Sequence, residues 1–168
     1  MKLAIFESDV MKKFDPNATY VDLSGCTSLA EVPAFPNATH VYLCGCTSLA
    51  EVPAFPNATH VDLSGCTSLT EVPAFPNATH VDLSGCTEAI EAWRTKRLVP
   101  LLTATGKEVS QVIEKTWKCH NWSNCPMHEV FGVSSVAEVP VPWRGEAAIF
   151  VSLFDARLLK APLDLLAK

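Results

Sequence analysis

ATHVYLCGCTSLAEVPAFPN, residues 38–57, is followed at once by ATHVDLSGCTSLTEVPAFPN, residues 58–77. The two copies differ at three positions only: Tyr42 against Asp62, Cys44 against Ser64, and Ala50 against Thr70. Flanking residues 17–37 and 78–87 continue the pattern, so a period of twenty residues covers about three and a half units. A fixed period of this length predicts a solenoid, in which each unit buries its apolar edge by stacking on its neighbours. The function is then expected to depend on the surface that the stack displays.

The composition is that of a chain with a packed core and without a basic surface. Of 168 residues, 48% are hydrophobic and 18% are charged, which favours a folded protein. The length predicts one domain, or a short solenoid with a companion piece. The formal net charge is −5, and no Lys or Arg occurs between Tyr20 and Ile90. Because nucleic acid requires a clustered basic face, no nucleic-acid partner is expected.

The N-terminal sequence MKLAIFESDV has a short apolar run and turns acidic too early for a secretory signal peptide. No apolar stretch approaches the ~18 residues of a membrane helix, so no membrane partner is expected. The prediction is a cytoplasmic protein, or one secreted without a cleavable signal. Its seven cysteines, four of which follow the repeat, are then expected to be reduced thiols.

Within one unit the pattern predicts a short strand and an extended return. Val61 and Leu63 alternate with polar residues, which places both on the inner face of a strand. Later core positions are Cys66, Leu69 and Val72. Residues 73–76, Pro-Ala-Phe-Pro, are incompatible with a helix because each proline removes a donor and restricts the residue before it. The return is therefore predicted to be non-helical.

Written as A-x-x-V-x-L-x-x-C-x-x-L-x-x-V-P-x-F-P-N, the unit resembles a leucine-rich repeat, with Cys66 at the Asn/Cys position. The short period and the V-P-x-F-P return resemble bacterial repeats with an L-P-x-L-P return, known from secreted effectors that bind host proteins. The resemblance covers residues 16–87, with alanine at positions 38, 58 and 78 where leucine is usual. It implies an α/β solenoid with parallel strands on a concave face.

Stacking places equivalent outward residues in rows across the sheet. The rows are Tyr20, His40, His60 and His80; Asp22, Tyr42, Asp62 and Asp82; and Ser24, Cys44, Ser64 and Ser84. A concave polar surface is the usual recognition face of a solenoid. The predicted partner-binding residues are Tyr20, Asp22, His40, Tyr42, Cys44, His60, Asp62, Ser64, His80 and Asp82. The alternative interpretation is a set of solvated strand residues in a recent duplication.

These rows do not predict a catalytic triad, because His80 and Ser84 would lie ~13 Å apart along an extended strand with Asp82 between them. The histidine row could hold a metal between strands, since neutral imidazole is a common ligand. The histidines are equally spaced and have no neighbouring groups that would orient them toward a metal, which favours ordinary surface histidines instead. No cofactor is expected.

Two further rows are predicted to be structural. Cys26, Cys46, Cys66 and Cys86 are expected to form a buried ladder of thiols, because parallel side chains lack disulfide geometry. Cys44 falls on the outward face and would be reactive if exposed.

The N-A-T asparagines are expected to be turn residues whose amides hydrogen-bond the backbone entering each strand, since glycans ~5 Å apart would collide. They are Asn17, Asn37, Asn57 and Asn77.

The two ends are expected to cap the stack. Residues 1–15 form the predicted N-terminal cap, with a strand over 1–6 and a helical turn over 9–14. Residues 88–168 form the predicted, mainly helical C-terminal domain, with helices over 88–93, 109–117, 126–131 and after Pro142. The apolar side of the last helix is predicted to carry Trp143, Ala147, Phe150, Val151, Phe154 and Leu158.

The C-terminal domain contains one chemical cluster, WKCHNWSNCPMH at residues 117–128. Cys119, His120, Cys125 and His128 could bind zinc, although their spacing is not that of a zinc finger. Cys125 at a helix N-terminus, assisted by His128, could instead be a nucleophile. The third interpretation is a structural turn.

The sequence favours a non-enzymatic module, of bacterial or phage origin, that binds a partner protein through its concave face as an inhibitor or effector. The alternative is an enzyme or metal-binding protein that uses the cluster at residues 119–128.

Overall fold

The computed structural model describes residues 3–4, 15–98, 132–141 and 143–155. Its strands are β1 (Leu3–Ala4), β2 (Tyr20–Asp22), β3 (His40–Tyr42), β4 (His60–Asp62) and β5 (His80–Asp82). Its helices are α1 (Thr87–Trp93), a π-helical turn (Arg94–Leu98), a 3-10 turn (Val136–Glu138) and α2 (Arg144–Asp155). The combination confirms the predicted α/β class.

The five strands form one parallel sheet in the order of the sequence. Each strand pairs with the equivalent residues of the next unit, so that Tyr20 lies opposite His40, His40 opposite His60, and His60 opposite His80. The predicted strand within residues 1–6 is confirmed by β1, which pairs with β2. This register brings the predicted rows of side chains together on one surface.

The apolar positions of the repeat form the core. In the unit around β4, Ala58, Val61, Leu63, Cys66 and Leu69 are all 0% exposed. Ala58 is thus a core position despite its small side chain. No helix or strand occurs in the described return segments, as predicted, and the rings of Phe55 and Phe75 stack there 6.2 Å apart.

The turn after each strand depends on glycine and on the cysteine row. Gly65 has φ of +74°, a left-handed conformation that favours glycine. Three cysteine thiols donate to the carbonyl oxygen of a leucine in the preceding unit. These bonds are Cys46 to Leu23 at 3.2 Å, Cys66 to Leu43 at 3.1 Å and Cys86 to Leu63 at 2.9 Å. The predicted buried thiol ladder is therefore confirmed for these cysteines.

The asparagines lie in turns, as predicted, and the amides of two of them bond the backbone of the preceding unit. Asn57 and Asn77 donate to the carbonyl oxygens of Pro36 and Pro56, at 2.8 and 2.7 Å. Pro36 and Pro56 precede β3 and β4, so these amides do bond the backbone that enters a strand, and the strand is that of the preceding unit.

The C-terminal end of the sheet is covered by helices. The predicted helix at 88–93 is confirmed by α1, in which Ala89 and Trp93 are buried. Helix α2 packs against β5, and Ala147 and Phe150 are buried as predicted. The prediction that Trp143 shares this buried side was wrong. It precedes the helix and is 43% exposed.

Several predictions lie outside the described residues. They are the helical turn at 9–14, the helices at 109–117 and 126–131, the position of Leu158 and the cluster at 119–128. Among the residues that the structure does describe, no helix has the length and apolar character needed to cross a bilayer.

Candidate functional site

The ten predicted partner-binding residues lie on the outward side of β2–β5 or directly after these strands. This surface is called the outer strand face below. His80 is exposed, and the other nine side chains are half-buried. Alternation along each strand explains the arrangement, because Val21, Val41, Val61 and Val81 between them face the core.

Five aromatic rings form a continuous ladder on the outer strand face. The rings of His40 and His60 stack 4.6 Å apart at an interplanar angle of 6°. Tyr20 and His80 extend the row at either end, each 6.0 Å from its neighbour. Tyr42 lies 5.4 Å from Tyr20 and 6.5 Å from His40. Tyr42 occupies the position that is aspartate in the other units, and its ring thus contacts the row of histidines.

The threonines before His40 and His60 fix the orientation of these two rings. The Thr39 hydroxyl donates to the carbonyl oxygen of Thr19 at 3.0 Å, and its oxygen lies 3.0 Å from Nδ1 of His40. Because the hydroxyl has only one proton, it accepts from an Nδ1–H on the histidine. Thr59 makes the same pair of contacts, at 3.1 Å to Thr39 and 3.0 Å to His60.

This arrangement selects one tautomer of the neutral ring. With the proton on Nδ1, the Nε2 atoms of His40 and His60 carry the lone pair. The sequence showed a Thr-His pair in three of the four units, but the hydroxyl's bond to the preceding unit is visible only in the stacked structure.

Burial also favours the neutral form at the centre of the ladder. The pKa of His60 is lowered from its ordinary value of 6.5, first by burial and then by the neighbouring His40 and His80. A proton on His60 would place a charge between two other imidazoles.

The aspartates of the outer strand face are held by the backbone. Oδ1 of Asp22, Asp62 and Asp82 accepts from the backbone N–H two residues later, at 3.2, 2.9 and 2.8 Å. This contact orients each carboxylate. In the part of the chain that the structure describes, none of the three carboxylates forms an ion pair.

No protein-family model matches this chain, and no curated protein or solved structure matches it significantly.

The outer strand face contains no assembled metal centre. Across residues 15–98, 132–141 and 143–155, no three His, Cys, Asp or Glu side chains are grouped as metal ligands. Cys44 lies half-buried on the face, whereas burial and the neighbouring Cys66 raise the pKa of Cys46 to about 12. The alternative site at Cys119, His120, Cys125 and His128 lies outside the described residues.

A second polar cluster, which the sequence interpretation missed, joins the helices to the sheet. Glu146 is 3% exposed and accepts from the indole N–H of Trp93 at 2.6 Å. Arg97 pairs with the same carboxylate and donates to the carbonyl oxygen of Val72 at 3.0 Å. Burial raises the pKa of Glu146, against the opposing effects of Arg97 and Trp93. The available signal was the position of Glu146 directly before the apolar residues 147–151 of α2.

Proposed function

We propose that this protein is a leucine-rich-repeat binding module that takes a partner protein on its outer strand face. The repeat assignment is supported by the parallel in-register strands, one per twenty-residue unit, and by the buried valine, leucine and cysteine positions. In such a module the outer strand face is the concave surface, and residues 88–168 cap its C-terminal end.

The observation that carries the binding proposal is the aromatic ladder. Five rings contact one another in a series, and four of them are half-buried before any partner arrives. Side chains that are already ordered lose little conformational entropy on association. Aromatic side chains also contribute a large share of the free energy of binding at protein interfaces.

The chemistry of the face supports binding over catalysis. Asp62 and Asp82 accept hydrogen bonds from backbone N–H groups. The Nδ1 atoms of His40 and His60 are hydrogen-bonded to threonine hydroxyls. A general base that activates a serine would need a histidine at hydrogen-bond distance from both partners. The proposed role is that of an effector or inhibitor which acts by occupying its partner.

Capture of partner proteins by variants tests this proposal. The chain is immobilised and exposed to an extract of its native host, and bound proteins are compared between wild type and Y42A/H60A. The control is T47A/S68A, which changes two exposed residues outside the outer strand face. Urea unfolding of each variant shows that the fold is retained.

The expected result is a partner captured by wild type and by T47A/S68A and lost from Y42A/H60A. Equal capture by Y42A/H60A contradicts the proposal. The proposal is also contradicted if the wild-type chain captures no protein beyond those captured by an unrelated control protein.

A further inference from the structure

We infer that the outer strand face binds arginine side chains of its partner. This inference rests on the proposed function and names the chemistry that the face recognises. Its basis is that aligned acceptors, aromatic rings and carboxylates that form no ion pair among the described residues occur together on the same surface.

The outward polar atoms with a fixed orientation are acceptors. Nε2 of His40 and of His60 carries a lone pair because Nδ1 donates to a threonine. Each aspartate uses Oδ1 for a backbone N–H, which leaves Oδ2 directed away from that contact. Such a surface requires a partner that supplies donors.

The charge of the surface points to cationic donors. Three of the seven carboxylates between Tyr20 and Ile90 lie on the outer strand face, and this stretch of sequence contains no Lys or Arg. In residues 15–98 and the described C-terminal part, the ion-paired cations are Arg94, Lys96 and Arg97, and their partners are Glu91, Glu71 and Glu146. Within that part of the chain, Asp62 and Asp82 have no ion-pair partner.

The spacing and the rings favour guanidinium over ammonium. Asp62 lies opposite Asp82 in neighbouring parallel strands, a separation of ~4.8 Å between strands. A planar guanidinium offers five donors in a fixed fork and also stacks on aromatic rings. The tilted pair Tyr20 and Tyr42, with centroids 5.4 Å apart, provides ring faces on the same surface. A lysine ammonium does not offer donors in this fixed geometry, and it has no planar group that could stack on a ring.

Fluorescence anisotropy with a labelled hexa-arginine peptide tests this inference on the full chain. The test variant is D62N/D82N, in which asparagine retains the Oδ1 acceptor for the backbone N–H and only the charge is removed. The control is E31Q/E51Q, which removes the same charge from two exposed residues outside the outer strand face. Labelled hexa-lysine is measured in parallel.

Hexa-arginine is expected to bind wild type, to bind D62N/D82N about tenfold more weakly, and to bind E31Q/E51Q within about twofold of wild type. Hexa-lysine is expected to bind wild type more weakly than hexa-arginine. Equal weakening in the two variants would show attraction to net charge alone and overturn the inference. Absence of hexa-arginine binding, or equal affinity for hexa-lysine, would also overturn it.

Failure here is distinct from failure of the proposed function. If Y42A/H60A loses its partner while hexa-arginine binding is insensitive to D62N/D82N, the face binds a protein by other chemistry. If hexa-arginine behaves as expected and capture is unaffected by Y42A/H60A, the proposed function fails by itself.

Discussion

The indole N–H of Trp93 donates to the carboxylate of Glu146 at 2.6 Å across a separation of 53 residues. Trp93 is 1% exposed and Glu146 is 3% exposed, so the bond is shielded from water. It links α1, which continues the last unit of the sheet, to α2, which packs against β5. A buried charge in this position is stabilised only while its donors are present.

Replacing Trp93 with Phe removes the N–H donor and retains an aromatic ring. The free energy of unfolding is expected to fall by about 1–3 kcal/mol, because Glu146 loses one of its buried partners. Urea unfolding provides the measurement. Trp143→Phe is the matched control at a 43% exposed site and is expected to change stability by less than about 0.5 kcal/mol. Equal effects of the two substitutions would contradict this account of the contact.

Replacing Gly145 with Ala tests the packing of α2 on the return segment. An added Cβ would lie 2.2 Å from the carbonyl oxygen of Phe75, so the helix or the segment must shift. We expect a loss of about 1–3 kcal/mol in the free energy of unfolding. Helix propensity alone would instead give a gain of about 1 kcal/mol. The sign of the change in urea unfolding therefore distinguishes close packing from propensity.

The histidine ladder is expected to make stability depend on pH. Burial and the neighbours His40 and His80 lower the pKa of His60 in the folded state. Neutral His60 therefore contributes fully to the stability of the folded protein above about pH 6.5, its ordinary pKa. This contribution is lost as the pH falls through the lowered pKa of the folded state. Urea unfolding at about pH 7.5 and about pH 5 should show a larger loss for wild type than for His60→Asn. An identical loss in the two proteins would exclude His60 as the cause.

The cysteines of the repeat are expected to differ in reactivity. Burial and the neighbouring Cys66 raise the pKa of Cys46 to about 12, so almost no thiolate is present near neutral pH. Cys44, half-exposed on the outer strand face, is expected to react with iodoacetamide before Cys46 in the native protein. Fragmentation of the alkylated peptide identifies the modified position. In Cys44→Ser the same peptide should stay unmodified until urea is added, and rapid labelling of Cys46 would contradict the buried ladder.

The repeat was sufficient to predict the register of β2–β5 and the core. A period of twenty residues places Val61 beside Val41 and His60 beside His40, whatever the details of side-chain conformation. The outward rows followed from alternation along each strand. These features depend on residues that are close in sequence or that recur in every unit, so they can be predicted from the repeat alone.

The remaining features depend on contacts that no local pattern specifies. The bond between Trp93 and Glu146 and the approach of Gly145 to Phe75 bring together segments far apart in sequence. The Asn57 amide reaches the Pro36 carbonyl because stacking places that oxygen nearby. The exposure of Trp143 follows from the start of α2 at Arg144, one residue later. Apolar spacing alone included Trp143 on the buried side.

Cross-linking from the outer strand face tests the central claim most directly. A photoreactive benzoyl-phenylalanine replaces Tyr42 in one protein and Ala54, an exposed residue of the return segment, in another. Irradiation in the host extract is expected to join a partner protein to position 42 and not to position 54, and His60→Ala is expected to weaken the cross-link. A partner joined at position 54 and absent from position 42 would contradict the central claim.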